Sequence, residues 1–242
     1  MQILHISCSP RGQASESYRL SRRIVAFLLV SEPTAKIVNR GIGDGGISHI
    51  DGDYAAALST TREPSTTVSQ TASFSDSEEL IRELESSDFV VIGTPMHNFT
   101  VPSTLKAWID HIVRVRRTFD STKEGKQGKL SDRPIFVAVS SGAKYSGERA
   151  RQPDFLTPYL KAILGTIGLH DLTFFSVEGT SSGPGAVVEA RASADRALQK
   201  FFHHFPGGSL NENGVGSLQL TTVAAPAELT VSATSAATVA GS

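Results

Sequence analysis

Apolar positions along the chain fall into two rhythms. Short stretches at 3–6, 35–39, 89–92, 134–139 and 169–177 are apolar enough, and bounded sharply enough, to read as strands; those at 89–92 and 134–139 are continuous runs of the kind covered on both faces. Between them the spacing turns helical. Leu20, Ile24, Phe27 and Leu28 share one side of a segment beginning near Ser17, and Leu80, Ile81 and Leu84 do so behind Asp76 or Ser77. Leu105, Trp108, Ile109 and Ile112 follow Pro102. Phe155, Leu156, Tyr159, Leu160, Ile163 and Leu164 follow Asp154, and Pro184 opens a last helix that reaches Phe201 and Phe202. Ser15 or Ser17, and Asp76 or Ser77, are natural N-caps, while Pro102 and Pro184 suit a first helical turn. Strand and helix thus alternate through five units, which predicts an α/β fold with a parallel sheet and helices on both faces.

The polar stretches divide the rest. Residues 60–77 are mostly Ser, Thr, Gln and Pro and are expected to form an exposed, mobile loop. The glycine-rich stretch 41–46 neither follows a strong strand nor opens a strong helix, so it reads as a turn and not as a phosphate loop. Residues 123–132 are too charged to be buried. From 206 to 242 there is no Lys or Arg, most residues are Ala, Thr, Ser, Gly and Val, and 218–223 is the one strand-like piece. This predicts one domain over 1–205 and a low-complexity, disordered tail over 206–242.

Composition narrows the classes. Of 242 residues 39% are hydrophobic, and the formal net charge is -1, which gives no electrostatic footing for nucleic acid. The single cysteine, Cys8, rules out an intrachain disulfide and a Cys-x-x-Cys pair, and fits a reducing compartment. No basic leader precedes the first apolar residues, and no run approaches a membrane span; a cytoplasmic protein without membrane contact is expected. The histidines show no ligand spacing beyond the adjacent His203 and His204, so no metal is expected. Ser140, Ser141 and Gly142 do not form a Gly-x-Ser-x-Gly elbow, which disfavours a serine hydrolase.

Three loops carry candidate chemistry, each at the carboxyl end of a predicted strand, where α/β sheets bind ligands. After the first strand, Ser7, Ser9, Ser15 and Ser17 crowd around Pro10 and Gly12 before a helix N-terminus. Hydroxyls and first-turn amides there can hold a phosphate monoester; a plain N-cap serine cluster is the other reading. Gly12 stands alone, so neither a Walker loop nor Gly-x-Gly-x-x-Gly is present. After the 89–92 run comes Pro95-Met96-His97-Asn98-Phe99, rich in aromatic and amide groups. After 134–139 come Ser140, Ser141, Gly142 and Ala143, small enough to let backbone approach a ligand, or to form a simple turn. Cys8 reads as a buried small residue at a strand end rather than a reactive thiol.

Taken together these loops resemble the FMN-dependent NADH:quinone oxidoreductases and NADH-azoreductases of the bacterial AzoR type. The segment from Phe155 through Gly168 is also similar to that family's helix, and the resemblance runs from about Ile3 to about Phe202. It implies a flavodoxin-like three-layer fold with a five-stranded parallel sheet, a homodimer, and FMN at an interface cleft. Ser9, Ser15 and Ser17, with Glu16 beside them, would hold the FMN phosphate. Pro95, Met96, His97, Asn98 and Phe99 would lie along the ribityl chain and ring. Ser140, Ser141, Gly142 and Ala143 would approach the pyrimidine side, and Phe119 and Thr166 would line the substrate cleft. NADH or NADPH would supply hydride to reduce a quinone or azo compound by a two-electron ping-pong route, with no catalytic side chain required.

Departures from the family pattern fall in the site. Glu16 stands where Gln is common, and a carboxylate beside a phosphate has to turn away or meet a cation such as Arg11 or Arg19. Ser141 and Ala143 replace a cation and a glycine. His97 replaces Tyr or Trp, and Thr166 a Phe that some relatives carry, which widens the substrate space. The rival class is a flavodoxin-like electron carrier or interaction module without nicotinamide turnover. The near-zero charge counts against it, as does the apolar helix with Trp108 and Ile112, whose one face is expected to be buried and could serve a dimer.

Overall fold

The computed structural model describes residues 1–59 and 72–205. The expected disordered tail at 206–242, and most of the expected loop before residue 72, lie outside the described residues. Among the described residues seven strands and six α-helices follow in order: β1 (Gln2–Ser7), α1 (Glu16–Ser31), β2 (Lys36–Gly41), α2 (Gly52–Ser59), α3 (Ala72–Glu85), β3 (Phe89–Pro95) and α4 (Ser103–Ile112), then β4 (Phe119–Thr122), β5 (Gly125–Gly128), β6 (Ile135–Ser141), α5 (Leu156–Thr166), β7 (Leu172–Glu178) and α6 (Pro184–His203). The main sheet is parallel, in the order β2-β1-β3-β6-β7. This is the doubly wound order whose switch point lies between β1 and β3.

Alternation along each strand explains the two helical layers. In β1, Leu4 and Ile6 join Val90 and Ile92 of β3 and Val137 and Val139 of β6 in a core shared with α3, α4 and α5. Ile3, Val91, Phe136 and Ala138 point the other way, into a core shared with α1 and α6. That second core is aromatic, with Phe27 stacked on Phe202 at 5.0 Å and Phe136 edge-on to Phe201. Both faces of the central strands are covered, which is why their sequences show no polar alternation. Cys8, just past β1, is fully buried, and that burial pushes its thiol pKa up.

Four expectations change. The 72–77 stretch is helical, because its polar groups find tertiary partners: Ser73 Oγ donates to Asp51 Oδ2 at 2.5 Å, and Ser77 Oγ to the His111 carbonyl at 2.7 Å. Ser77 is therefore a buried interior residue of α3 and not its cap. Helix α2 arises where only a connection is legible; Asp51 caps it by accepting from the Tyr54 amide at 2.7 Å. The charged stretch after Phe119 supplies β5 of an antiparallel hairpin, in which Phe119 opposes Gly128. Its exposure is as expected, but Gly128 lies flat against Gly168, where a Cβ would come within 2.1 Å of the Gly168 nitrogen. Finally, Trp108 and Ile112 are buried in this chain's own core and are not free to serve a dimer.

Candidate functional site

The carboxyl ends of β1, β3 and β6 are laced by main-chain bonds. The Cys8 amide donates to the Gly93 carbonyl at 2.9 Å and the Met96 amide to Ser140 at 2.8 Å. Above this edge lies a cleft of about 400 Å³. Ser9, Pro10, Arg11, Ser15 and Glu16 form one wall. Pro95, Met96 and His97, beside Ser140, Ser141 and Gly142 at the end of the neighbouring strand, form the second, and Thr180 and Val187 line the rest.

The first wall is an anion cradle in its chemistry. A single 3-10 turn, Gly12–Ala14, bends the chain back to α1, and Gly12 takes φ +52°, which an L side chain adopts at a cost. Ser15 caps α1: its Oγ accepts from the Tyr18 amide at 3.2 Å and donates to the Gly12 carbonyl at 2.9 Å. The amides of Glu16 and Ser17 then meet no acceptor among the described residues, as a first helical turn leaves them. They stand at the positive end of a 16-residue helix. Ser17 lies behind this wall, its Oγ 3.4 Å from that of Ser15. Gly43 supports the loop from below; a Cβ there would fall 2.0 Å from the Ser9 carbonyl oxygen. Read from sequence as a turn residue, it is a backing for the cradle.

Glu16 is not an open charge. Arg191, from α6, grips both its oxygens, with Nε 2.8 Å from Oε2, and Arg19 adds a contact at 3.3 Å. The Arg191 guanidinium holds the Glu16 carboxyl below the usual carboxylate range. Of the two cations expected to meet Glu16, Arg19 does; Arg11 lines the cleft and forms no ion pair among the described residues.

The second wall turns on Asn98 and Phe99. His97 and Thr100 exchange main-chain bonds of 2.9 and 3.0 Å, and the two residues between them take φ +48° and +70°. This is the geometry of a tight two-residue hairpin, which glycine and asparagine favour. Phe99 holds the left-handed position without glycine's freedom and leaves its ring 43% exposed. Its carbonyl accepts from the Phe155 amide at 3.0 Å, and Phe155 is itself 58% exposed. Opposite, the Gln152 amide donates to Ser141 Oγ at 2.7 Å and reaches Met96 Sδ at 3.1 Å, tying the two loops together. Thr180 and Ser181 donate main-chain bonds to the carbonyls of Ser141 and Gly142. Burial would raise the pKa of Glu178, but the Ser146 hydroxyl and the amides of Tyr145 and Ser146 outweigh it and lower it, pinning the loop after β6.

The cleft therefore gathers Ser9, Ser15, Glu16, Pro95, Met96, His97, Ser140, Ser141 and Gly142 from three distant segments. Ser17, Asn98, Phe99 and Ala143 adjoin it without lining it. Phe119 and Thr166 belong to the hairpin and the end of α5; Phe119 is 7% exposed, with the Lys126 ammonium 5.1 Å from its ring centre. Sequence reasoning missed Thr180, Val187, Gln152 and Arg191. Only the last left a trace, since Val187, Arg191 and Asp195 share one face of α6 at helical spacing.

A family model described as flavodoxin-like fold matches residues 1–202. FMN-dependent NADH:quinone oxidoreductase 4 of Pseudomonas fluorescens is 48% identical over 195 residues, which is 81% of this chain and 91% of that protein. FMN-dependent NADH:quinone oxidoreductase 5 of Burkholderia lata is 44% identical over 189 residues, 78% and 90% of the two chains. Among solved structures, an azoreductase from Bacillus anthracis superposes with a TM-score of 0.69 at 20% identity, over 83% of this chain and 100% of that one. An FMN-dependent NADH-azoreductase from the same species, in complex with FMN, gives 0.65 at 23%, over 83% and 98%. The sheet order, the strand-edge cleft and these relationships converge: the chain belongs to the flavodoxin-like family of FMN-dependent NADH:quinone oxidoreductases.

Proposed function

We propose that the protein binds FMN in the strand-edge cleft and uses NADH to reduce quinones, with azo compounds and NADPH as further substrates. The observation that carries this is the pairing of a phosphate-type cradle at the α1 N-terminus with a second wall of small and flat groups in the same cleft. The donor set fits a phosphate monoester: the amides of Glu16 and Ser17, the hydroxyl of Ser9 and the Arg11 guanidinium, with Ser15 holding the helix start through its bonds to Gly12 and Tyr18. Ser17 supports Ser15 from behind. The Pro95, Met96 and His97 backbone would run beside the ribityl chain and ring, with Asn98 and Phe99 shaping that loop. Ser140, Ser141, Gly142 and Ala143 would offer main-chain polar groups to the pyrimidine edge.

Bound FMN supplies two-electron hydride chemistry, so the chain itself needs no acid, base or nucleophile. What the residues do is bind, orient and leave one face open. That single face serves donor and acceptor in turn, which gives ping-pong kinetics. Phe99 and Phe155, adjacent and exposed, suit a second copy of the chain closing the mouth as a homodimer. Thr166, absent from its own cleft, would reach the active site only from that second copy, whereas Phe119 is held in its own chain's core.

Anaerobic mixing of the FMN-loaded chain with NADH tests the reading. The visible flavin absorption is expected to bleach and to return when a quinone is added. Flavin that binds and stays oxidised would overturn it in favour of a carrier.

A further inference from the structure

We propose that Arg191 is a positioning residue for the cofactor phosphate: by clamping Glu16 it converts an anion-repelling wall of the cleft into one that accepts an anion. This rests on the reading of the cleft as an FMN site and adds to it the residue that makes the site workable in this chain.

Glu16 is the first residue of α1 and lines the cleft beside the Ser9 and Arg11 donors. Its amide belongs to the cradle, so its carboxylate cannot be far from whatever the cradle holds. Proton uptake does not remove that charge, because the Arg191 guanidinium keeps the carboxyl ionised. The charge is instead balanced in place. Arg191 engages both oxygens in a fork-to-fork pair, the strongest geometry open to two side chains, and Arg19 contacts Oε2 from the same helix. Three donors thus occupy most of the carboxylate's acceptor positions, and its field is largely cancelled.

The clamp is itself held. One turn along α6, Asp195 lies 3.5 Å from Arg19 and 3.5 Å from Arg23. Along the α1–α6 seam the charges therefore alternate as Arg191, Glu16, Arg19, Asp195 and Arg23, three cations against two anions. One turn back, Val187 lines the cleft, so a single face of α6 closes the pocket and neutralises its wall. Arg11, which has no carboxylate partner among the described residues, stays available to the ligand. The two arginines thus divide the work, one toward the phosphate and one toward the residue that would oppose it.

The test is flavin titration of the full chain, freed of cofactor, by fluorescence quenching, with FMN and with riboflavin, which lacks the phosphate. Arg191→Gln is expected to weaken FMN about tenfold or more while leaving riboflavin unchanged to within about twofold, because the unmasked carboxylate acts on the phosphate alone. Glu16→Gln in the same chain is expected to restore FMN binding to within about threefold of the Glu16→Gln single variant. Arg191→Lys, which keeps the charge and loses the fork, should fall between, and serves if Arg191→Gln does not fold. Equal weakening of both flavins, or a double variant as weak as Arg191→Gln alone, would overturn the proposal. A wild-type chain that takes up neither flavin would overturn the FMN reading itself, and this proposal with it.

Discussion

Nε2 of His5 lies 2.8 Å from Oγ of Ser21, buried between the first strand and the first helix. The other ring nitrogen is 3.2 Å from Asn39 Oδ1, on the neighbouring strand. Ser21 donates its own proton to the Tyr18 carbonyl at 3.0 Å, so Nε2–H is the donor to Ser21, and the imidazole links the sheet to the helix that bears the cradle. Burial lowers the His5 pKa from its ordinary 6.5.

A lowered histidine pKa means that the unfolded chain binds a proton the fold refuses. Stability is therefore expected to be full above pH 6.5 and to decline as pH falls from there toward the folded value. Glu16 and Glu85, whose pKa values lie below the ordinary 4.5, come into play only at lower pH. Urea unfolding at about pH 7.5 and about pH 5.5 checks this. Wild type should lose stability between the two, and His5→Gln should show a flatter response over the same window. An identical slope in the variant would assign the loss elsewhere.

Gly43→Ala should disturb the cradle without touching any group that meets ligand. The new Cβ would fall 2.0 Å from the Ser9 carbonyl oxygen, and main chain cannot swing aside as a side-chain tip can. A loss of about 1–3 kcal/mol in stability is expected, together with weaker FMN binding. Thermal unfolding and flavin titration would read the two effects. Unchanged values in both would mean that the Ser9 loop is not backed by Gly43.

Phe99 holds φ +70° with its ring in solvent, a combination that favours glycine on backbone grounds alone. Phe99→Gly is expected to raise stability by about 1 kcal/mol by relieving that strain. The same change should lower kcat/KM with a quinone and weaken self-association, measured by sedimentation. Higher stability with full activity would show that the strain serves nothing in the site.

Three arginines touch Glu78, namely Arg82, Arg114 and Arg117, and burial separates the first two. The Arg114 side chain is 5% exposed, pairs with Glu78 at 2.5 Å, donates to Ser77 and lies 4.4 Å from the Phe74 ring centre. Arg82 is 73% exposed and sits 3.5 Å from the same carboxylate. Arg114→Ala should cost about 3 kcal/mol, because it strips a buried network. Arg82→Ala should cost less than about 0.5 kcal/mol. Denaturant midpoints distinguish them, and equal losses would refute the argument from burial.

What could be read in the chain followed the range of the interactions involved. The inner strands β1, β3 and β6 were legible because both faces are buried, so the apolar runs are local and continuous. The wall from Ser9 to Glu16 was legible too, since its hydroxyls, breakers and helix start fall within a few residues of one another. Helix α2 and the first turns of α3 were not. Ser73, Ser77 and Tyr54 are anchored by Asp51 and His111, and nothing nearby in sequence announces it. Gly43 and Arg191 were illegible as parts of the site for the same reason, because each acts on residues far away along the chain. The apolar face with Trp108 was visible too, but not that this chain's own core would take it up and leave none of it for a second copy.

The position of Cys8 has a consequence for a chain that handles quinones. Quinones are electrophiles as well as oxidants, and they arylate accessible thiolates. The chain's only sulfhydryl is withheld from them twice, by complete burial and by a pKa pushed upward so that it stays protonated. The protein can meet its acceptors repeatedly and offer them electrons, but no sulfur to alkylate.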